Sequence, residues 1–245
     1  MAGHSHWAKI KRAKAANDAK RGKIWSKIAR KIIIAAKAGG GDPRDNLSLR
    51  YVIDEARAAN MPRDTIEKAI ARGTGELGAD SYEDVVYEGY APGGVAILVE
   101  ALTDNRNRTA PEMRKIFEVH GGSLATSGSV AFQFTKQGVI TIKADAVEED
   151  KLLELALDAG AEDVRNEEEV FEVITAPTAF QKVKEALETA GIPIENAEIT
   201  NMPNTQVPVA DEQAVKVLKL IEALEDHDDV QNVSHNADIP DSVTV

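Results

Sequence analysis

Cysteine is absent from the 245-residue chain. That excludes a disulfide framework, a thiolate zinc site, an iron–sulfur cluster and a cysteine nucleophile. It also fits a reducing compartment. Long apolar runs are missing too. Residues 95–99 and 32–36 are among the longest, far short of the ~20 needed to cross a bilayer. The first 25 residues carry charge throughout and no apolar stretch of the kind a secretory signal needs. These absences predict a soluble cytoplasmic protein with no membrane partner. Nucleotide-binding signatures are lacking as well: no G-x-x-x-x-G-K-[ST] occurs, and no G-x-G-x-x-G follows a strand pattern. The sequence therefore predicts no enzyme, no small-molecule substrate and no cofactor. No metal is expected either. His4 and His6 could clamp an ion only with further ligands, and the sequence places none nearby. The acidic run at residues 225–229 reads as a solvated turn.

Acid is scarce at one end only. Residues 1–40 hold 11 basic residues and a single acid, Asp18. Residues 1–77 hold 17 Lys+Arg against 8 Asp+Glu, a net +9. The remainder holds 12 against 33, a net −21, within a whole of −12. A basic head on an acidic body points to a polyanionic partner for the head, and the body repels that partner everywhere else. The candidate nucleic-acid contacts are Lys9, Lys11, Arg12, Lys14, Lys20, Arg21, Lys23, Lys27 and Lys31. Their ammonium and guanidinium groups would neutralise phosphates and release counterions. His4, His6 and Trp7 lie among them as base-stacking or anchoring groups. Trp25, beside an isoleucine stripe, reads as core.

Periodicity divides the chain. A helix is predicted over residues 23–38, with Ile24, Ile28 and Ile32 stacked at i, i+4, i+8 and Lys23, Lys27 and Lys31 on the adjoining stripe. A second helix is predicted over residues 46–59, with Asn60 in the left-handed position after it, and a third from Asp64 to Gly73. The hairpin they form resembles a helix-turn-helix by spacing alone. Strands are predicted at residues 85–90 and 95–102. Thr103–Arg108 reads as a loop, and Thr109 to Glu112 as a capping box opening a helix to His120. Arg106 and Arg108, just ahead of that helix start, suit an anion; the alternative is a local network that stiffens the turn. Residues 130–134 read as a short strand. The pattern then resets into strand, helix, strand, strand, helix, strand over residues 139–201, the ferredoxin-like order. A last helix (212–224) and strand (229–234) follow.

Several motifs together are distinctive. They are Gly3-His-Ser-His-Trp7, Asp18-Ala-Lys-Arg-Gly-Lys23, Gly40-Gly-Asp-Pro43, Ala59-Asn-Met-Pro62, Tyr87-Glu-Gly-Tyr90 with Pro92-Gly-Gly94, Thr103-Asp-Asn-Arg-Asn-Arg-Thr109, Gly121-Gly122 with Gly128-Ser-Val130, and Leu224-Glu-Asp-His-Asp-Asp-Val-Gln-Asn-Val233. Over essentially its whole length the chain resembles the YebC/PmpR family of probable transcriptional regulators. His6 stands where the family often has lysine, and Trp25 where it often has phenylalanine. The resemblance implies a multidomain α+β protein: an N-terminal three-helix domain, a central discontinuous α/β domain and an inserted ferredoxin-like (βαββαβ) domain. The boundaries expected are 1–77 for the basic helical nucleic-acid-binding domain, 78–135 and 204–245 for the central domain, and 136–203 for the insertion. The family is usually labelled DNA-binding and transcriptional, and a related branch, including a mitochondrial translational activator, acts with the ribosome. The function expected is a DNA-binding transcriptional regulator, with a ribosome- or RNA-associated translation factor as the alternative and a protein partner for the acidic body. The Met-Ala-Gly-His-Ser start suggests a bacterial cytoplasmic member.

Overall fold

The computed structural model describes residues 21–78, 82–167, 169–240 and 243. The predicted contacts Lys9, Lys11, Arg12, Lys14 and Lys20, together with His4, His6 and Trp7, lie outside the described residues, as does the side chain of Arg21.

Among the described residues the head has three helices: α1 (Arg21–Gly39), α2 (Leu47–Ala58) and α3 (Arg63–Gly73). Apolar side chains at helical spacing bury one stripe of each. Ile28, Ile32, Ile33 and Ala36 from α1 meet Leu49, Ile53 and Ala56 from α2 and Ile66 and Ala69 from α3. Ile24 is the exception to the predicted stack. It is 43% exposed, because the 3.6-residue period carries the buried stripe on to Ile33 and Ala36. Trp25 packs against this core, as its position suggests, and its indole Nε1 donates to the Ala59 carbonyl at 3.0 Å. Asn46 locks the first corner: its Oδ1 accepts from Leu49 N as the N-cap of α2, while its Nδ2 donates to the carbonyls of Ala35 and Gly40, both at 2.8 Å. Asn60 takes the left-handed conformation (φ 54°) that turns the chain toward α3. Asp64 and Glu67 have the Asp-x-x-Glu spacing of a helix cap, but Asp64 does not cap α3. Pro62 occupies the N-cap, and Asp64 instead faces Lys68 one turn on.

The central unit joins two stretches of chain. β1 (Glu83–Ala91), β2 (Val95–Thr103), α4 (Arg106–Val119) and β3 (Ser123–Leu124) come before the insertion. β4 (Phe134–Lys143), α5 (Glu149–Ala159), β5 (Asp163–Glu167), β6 (Val170–Thr175), α6 (Phe180–Thr189) and β7 (Ile194–Pro203) make the insertion. β8 (Val207–Pro208), α7 (Asp211–Glu225), β9 (Val230–His235) and β10 (Ala237–Asp238) complete the chain. The central sheet has the order β3-β1-β2-β9, so its last strand arrives from beyond the insertion. Val95, Ile97, Val99 and Ala101 point to one face, where Met113 and Phe117 of α4 and Val217, Leu220, Ile221 and Leu224 of α7 cover them. Ala96 and Leu98 point to the other, against Val130. β8 and β10 form a small parallel pair that no sequence pattern signals.

The inserted sheet has the order β5-β6-β4-β7, all antiparallel. That order, with α5 and α6 on one face through Leu152, Ala156, Val183 and Leu187, is the ferredoxin-like arrangement. Two local expectations change here. Residues 131–133 are a turn of 3₁₀ helix rather than strand, and β4 runs unbroken from Phe134 through Gly138. The sequence pattern starts this strand only at residue 139. In the sheet, a Cβ on Gly138 would collide with the Phe180 ring and Thr175 Oγ1, so the position requires glycine for packing. No described helix is long and apolar enough to cross a membrane.

Candidate nucleic-acid interface

Two of the distinctive motifs meet at the junction of head and body. The turn after α7, residues 226–229, lies against α1 on one side and the start of α4 on the other. Its anchor is Asp229, whose side chain is only 2% exposed. Asp229 Oδ2 accepts from Arg108 Nη2 at 2.6 Å and from Thr109 Oγ1 at 2.7 Å, and Oδ1 stands 3.3 Å from Arg30 Nη2. Burial alone would raise the Asp229 carboxyl, but Thr109, Arg108 and Arg30 hold it below its usual range. Behind it runs a relay of donors. Asn105 N donates to Thr103 Oγ1, the Thr103 hydroxyl reaches Thr109 Oγ1 at 2.7 Å, and Thr109 reaches Asp229. Thr109 is therefore not a cap. α4 starts at Arg106 with Asn105 as its N-cap, accepting from Arg108 N, and Thr109 is drawn inside to the carboxylate.

His227 completes the cluster. Its Nδ1 accepts from the Asp229 backbone N–H at 3.1 Å, which leaves Nε2 to carry the proton and donate to Glu112 Oε2 at 3.0 Å. Glu112, His227 and Asp229 place three potential ligand atoms within 4.8 Å of one another. The donors do not fit a cation. Both Asp229 oxygens serve cationic or hydroxyl donors, both imidazole nitrogens are engaged, and two guanidiniums stand against Asp229 where an ion would be repelled.

The predicted phosphate contacts within the described residues gather partly at this junction. Lys23 Nζ donates to the Asp226 carbonyl at 3.2 Å and lies 3.7 Å from its carboxylate. Lys27 Nζ donates to the Glu225 carbonyl at 2.7 Å. Arg30, absent from the predicted set, donates to the Asp228 carbonyl, faces Asp229 and lies over the Tyr82 ring. Lys31 turns away to Glu55 on α2, at 2.8 Å. Arg108 serves Asp229 and also faces Asp104 and Glu112. Arg106 faces Glu83 on β1 across 3.6 Å. Each of these cations thus has an acidic or carbonyl partner. The partners differ in grip. Lys23 and Asp226 are both half-exposed, a pairing that contributes under about 1 kcal/mol, whereas Asp229 is buried and multiply bonded. Lys27 is desolvated beneath the turn. Burial brings its ammonium down to about 8 although Glu225 and Asp226 pull the other way.

A second buried carboxylate shapes the body nearby. Glu88 Oε atoms accept from the backbone N–H groups of Gly128, Val130 and Ala131 at 2.6–2.9 Å. Burial would raise its carboxyl, and these donors outweigh it and keep the group below its ordinary value. Sequence reading missed Glu88, Arg30 and Asp229 as structural centres. The only available signal was that they sit inside the distinctive motifs or on a helical stripe.

Fold and junction together define the class: a three-unit α+β chain whose cationic helical head is joined to an acidic body through a polar contact. The chain belongs to the TACO1/YebC family. Residues 5–76 match the TACO1/YebC protein N-terminal domain, and residues 82–237 match the TACO1/YebC second and third domain. A relative from Dictyoglomus turgidum, named probable transcriptional regulatory protein, is 54% identical over 244 residues, covering 99% of this chain and 98% of that one. One of the same name from Carboxydothermus hydrogenoformans is also 54% identical, covering 98% and 100%. The crystal structure of a conserved hypothetical protein, Aq1575, from Aquifex aeolicus superposes with a TM-score of 0.83 at 50% identity, over 92% of this chain and 93% of that one.

Proposed function

We propose that this chain is a non-catalytic, nucleic-acid-binding regulator of the cytoplasm, acting on DNA in transcription through its basic head, residues 1–77. The single observation that carries the reading is the division of charge, +9 in the head against −21 in the rest. Such a chain presents one end to a phosphate polymer and repels it elsewhere. The contacts assigned are Lys9, Lys11, Arg12, Lys14, Lys20 and Arg21, continued along α1 by Lys23, Lys27 and Lys31, with Arg106 and Arg108 beside the junction. The names of the relatives support regulation of transcription. The acidic body would orient the head or meet a protein partner.

A second reading, a translation factor on structured RNA, rests on the outer surface of the helical hairpin. Arg57 faces Asp54, Arg63 faces Glu67 and Lys68 faces Asp64. A hairpin so neutralised lacks the row of free Arg, Asn and Gln side chains that reads base edges in a major groove. Titration of the full chain with duplex DNA and with structured RNA over stepped salt tests both. Log affinity should fall with log salt by about 0.7 to 0.9 per phosphate contact. Tighter binding to RNA at equal salt would replace transcription with translation. Absence of binding to either at low salt would overturn the nucleic-acid reading.

A further inference from the structure

Lys23, Lys27 and Arg30 lie one helical turn apart along α1, about 5.4 Å per turn, and meet the carbonyl oxygens of Asp226, Glu225 and Asp228 respectively. Much of this contact is with main-chain carbonyls, and the half-exposed carboxylate of Asp226 supplies the outermost charge. A row of acceptor oxygens flanked by the carboxylates of Asp226 and Asp229, set against a row of helical cations, offers those cations the kind of partner a phosphate backbone presents. The joint is also polar. Among the described residues the buried apolar clusters of head and body are separate, and none of the three described head helices shares an extended packing face with a strand or helix of the body.

We propose that the acidic turn is a phosphate mimic: it occupies the polyanion-binding face of α1 and is displaced when nucleic acid binds. The inference rests on the nucleic-acid reading above and adds a competitor to it. The joint divides into a fixed and an exchangeable part. Asp229 stays with the body, because Arg108, Thr109 and the Leu102 backbone N–H hold it there. Lys23 and Lys27 are the exchangeable side, whereas Arg30 also faces the buried Asp229 carboxylate at 3.3 Å. The partners of the two lysines on the turn are carbonyl dipoles and one solvated carboxylate, which a fully charged phosphate outcompetes. Lys27 is desolvated beneath the turn and its direct hydrogen bond there is to a carbonyl, with the Glu225 and Asp226 carboxylates acting on it at longer range. In the free protein the turn acts as a gate, so a weakly bound or stray polyanion finds the face already filled.

The test uses three full-length proteins: wild type, a turn variant (Glu225→Gln, Asp226→Asn, Asp228→Asn) and a charge-matched control in the inserted unit (Glu148→Gln, Asp150→Asn, Glu154→Gln). Each is titrated with a labelled DNA duplex and an RNA hairpin at one salt concentration, after thermal melting confirms folding. The turn variant should bind about tenfold tighter than wild type, and the control within about twofold of it. A second measurement needs no variant. Hydrogen exchange at residues 226–228 of the wild type should speed up when the duplex or hairpin is added. Equal tightening in both variants would reduce the effect to net charge and overturn the proposal. So would unchanged affinity of the turn variant with unchanged exchange at the turn, which would leave the nucleic-acid reading standing. If none of the three binds, the nucleic-acid reading itself falls and the mimic falls with it.

Discussion

Glu88 and Glu172 are both buried carboxylates, and their surroundings push them in opposite directions. Glu88 receives three backbone N–H donors and is held low. The stability it contributes is therefore present above the ordinary glutamate value and is lost as pH falls through its lower folded one. Glu172, only 3% exposed, lies on β6 between Thr141 on β4 and Arg165 on β5, and its Oε2 finds no partner. Burial, with Glu167 adding to it and Arg165 opposing, raises its carboxyl from 4.5 to about 7. Below 4.5 both folded and unfolded forms are protonated. As pH rises toward 7 the unfolded chain ionises first, so stability is lost across that window, by roughly 3 kcal/mol in all. Glu172→Gln should flatten this slope. Melting curves from pH 4.5 to 8 should show the variant close to wild type at the acid end and more stable above pH 7.

Among the elements, α1 and α3 approach closely enough to demand a glycine. A Cβ on Gly73 would stand 2.5 Å from the Ile33 carbonyl oxygen and 2.7 Å from Ala36 Cβ. A backbone oxygen inside a helix cannot step aside, so the helices themselves must part. Gly73→Ala should destabilise the head by about 1–3 kcal/mol, the usual range for overpacking. Hydrogen exchange should locate the loss in α1 and α3 and leave β4 and β7 protected. Normal protection throughout the head would place the third helix elsewhere. The start of α4 carries a related lesson. Thr109-Ala-Pro-Glu112 has the spacing of a capping box, yet a carboxylate 120 residues away takes the Thr109 hydroxyl, and Asn105 caps a longer helix.

At the scale of the whole molecule, the three largest apolar clusters of the described residues lie one each in head, central unit and insertion. The head meets the body through ammonium and guanidinium groups set on carbonyls and on the Asp226 and Asp229 carboxylates, so its attachment should respond to salt. The Debye length falls from about 10 Å at 0.1 M to about 3 Å at 1 M. A chain without cysteine accepts two introduced ones as its only labels. With Arg57→Cys on the head and Glu154→Cys on the insertion, the distance distribution from single-molecule energy transfer should broaden as salt rises. A distribution that stays narrow to 1 M would mean the joint is not electrostatic.

Composition and periodicity determined a good deal without any coordinates. The charge division, the buried faces of α1 and α2 and the βαββαβ order are local or additive properties, and the chain displays them in register with its own helical and strand periods. The motifs likewise identified the family, and with it the discontinuous central sheet. Tertiary structure alone decided which partners the cations meet. Lys27 meets Glu225 across 198 residues, and Arg108 meets Asp229 across 121. A charge stripe reads the same whether it faces water or an acidic turn, because pairing depends on where distant segments land. The same reason hid the continuity of β4, where Gly138 admits the Phe180 ring, and the fate of residues 225–229. As a string they are a solvated acidic run; folded, they become the seat of the head, because Asp229 is buried against two arginines that only the fold brings to it.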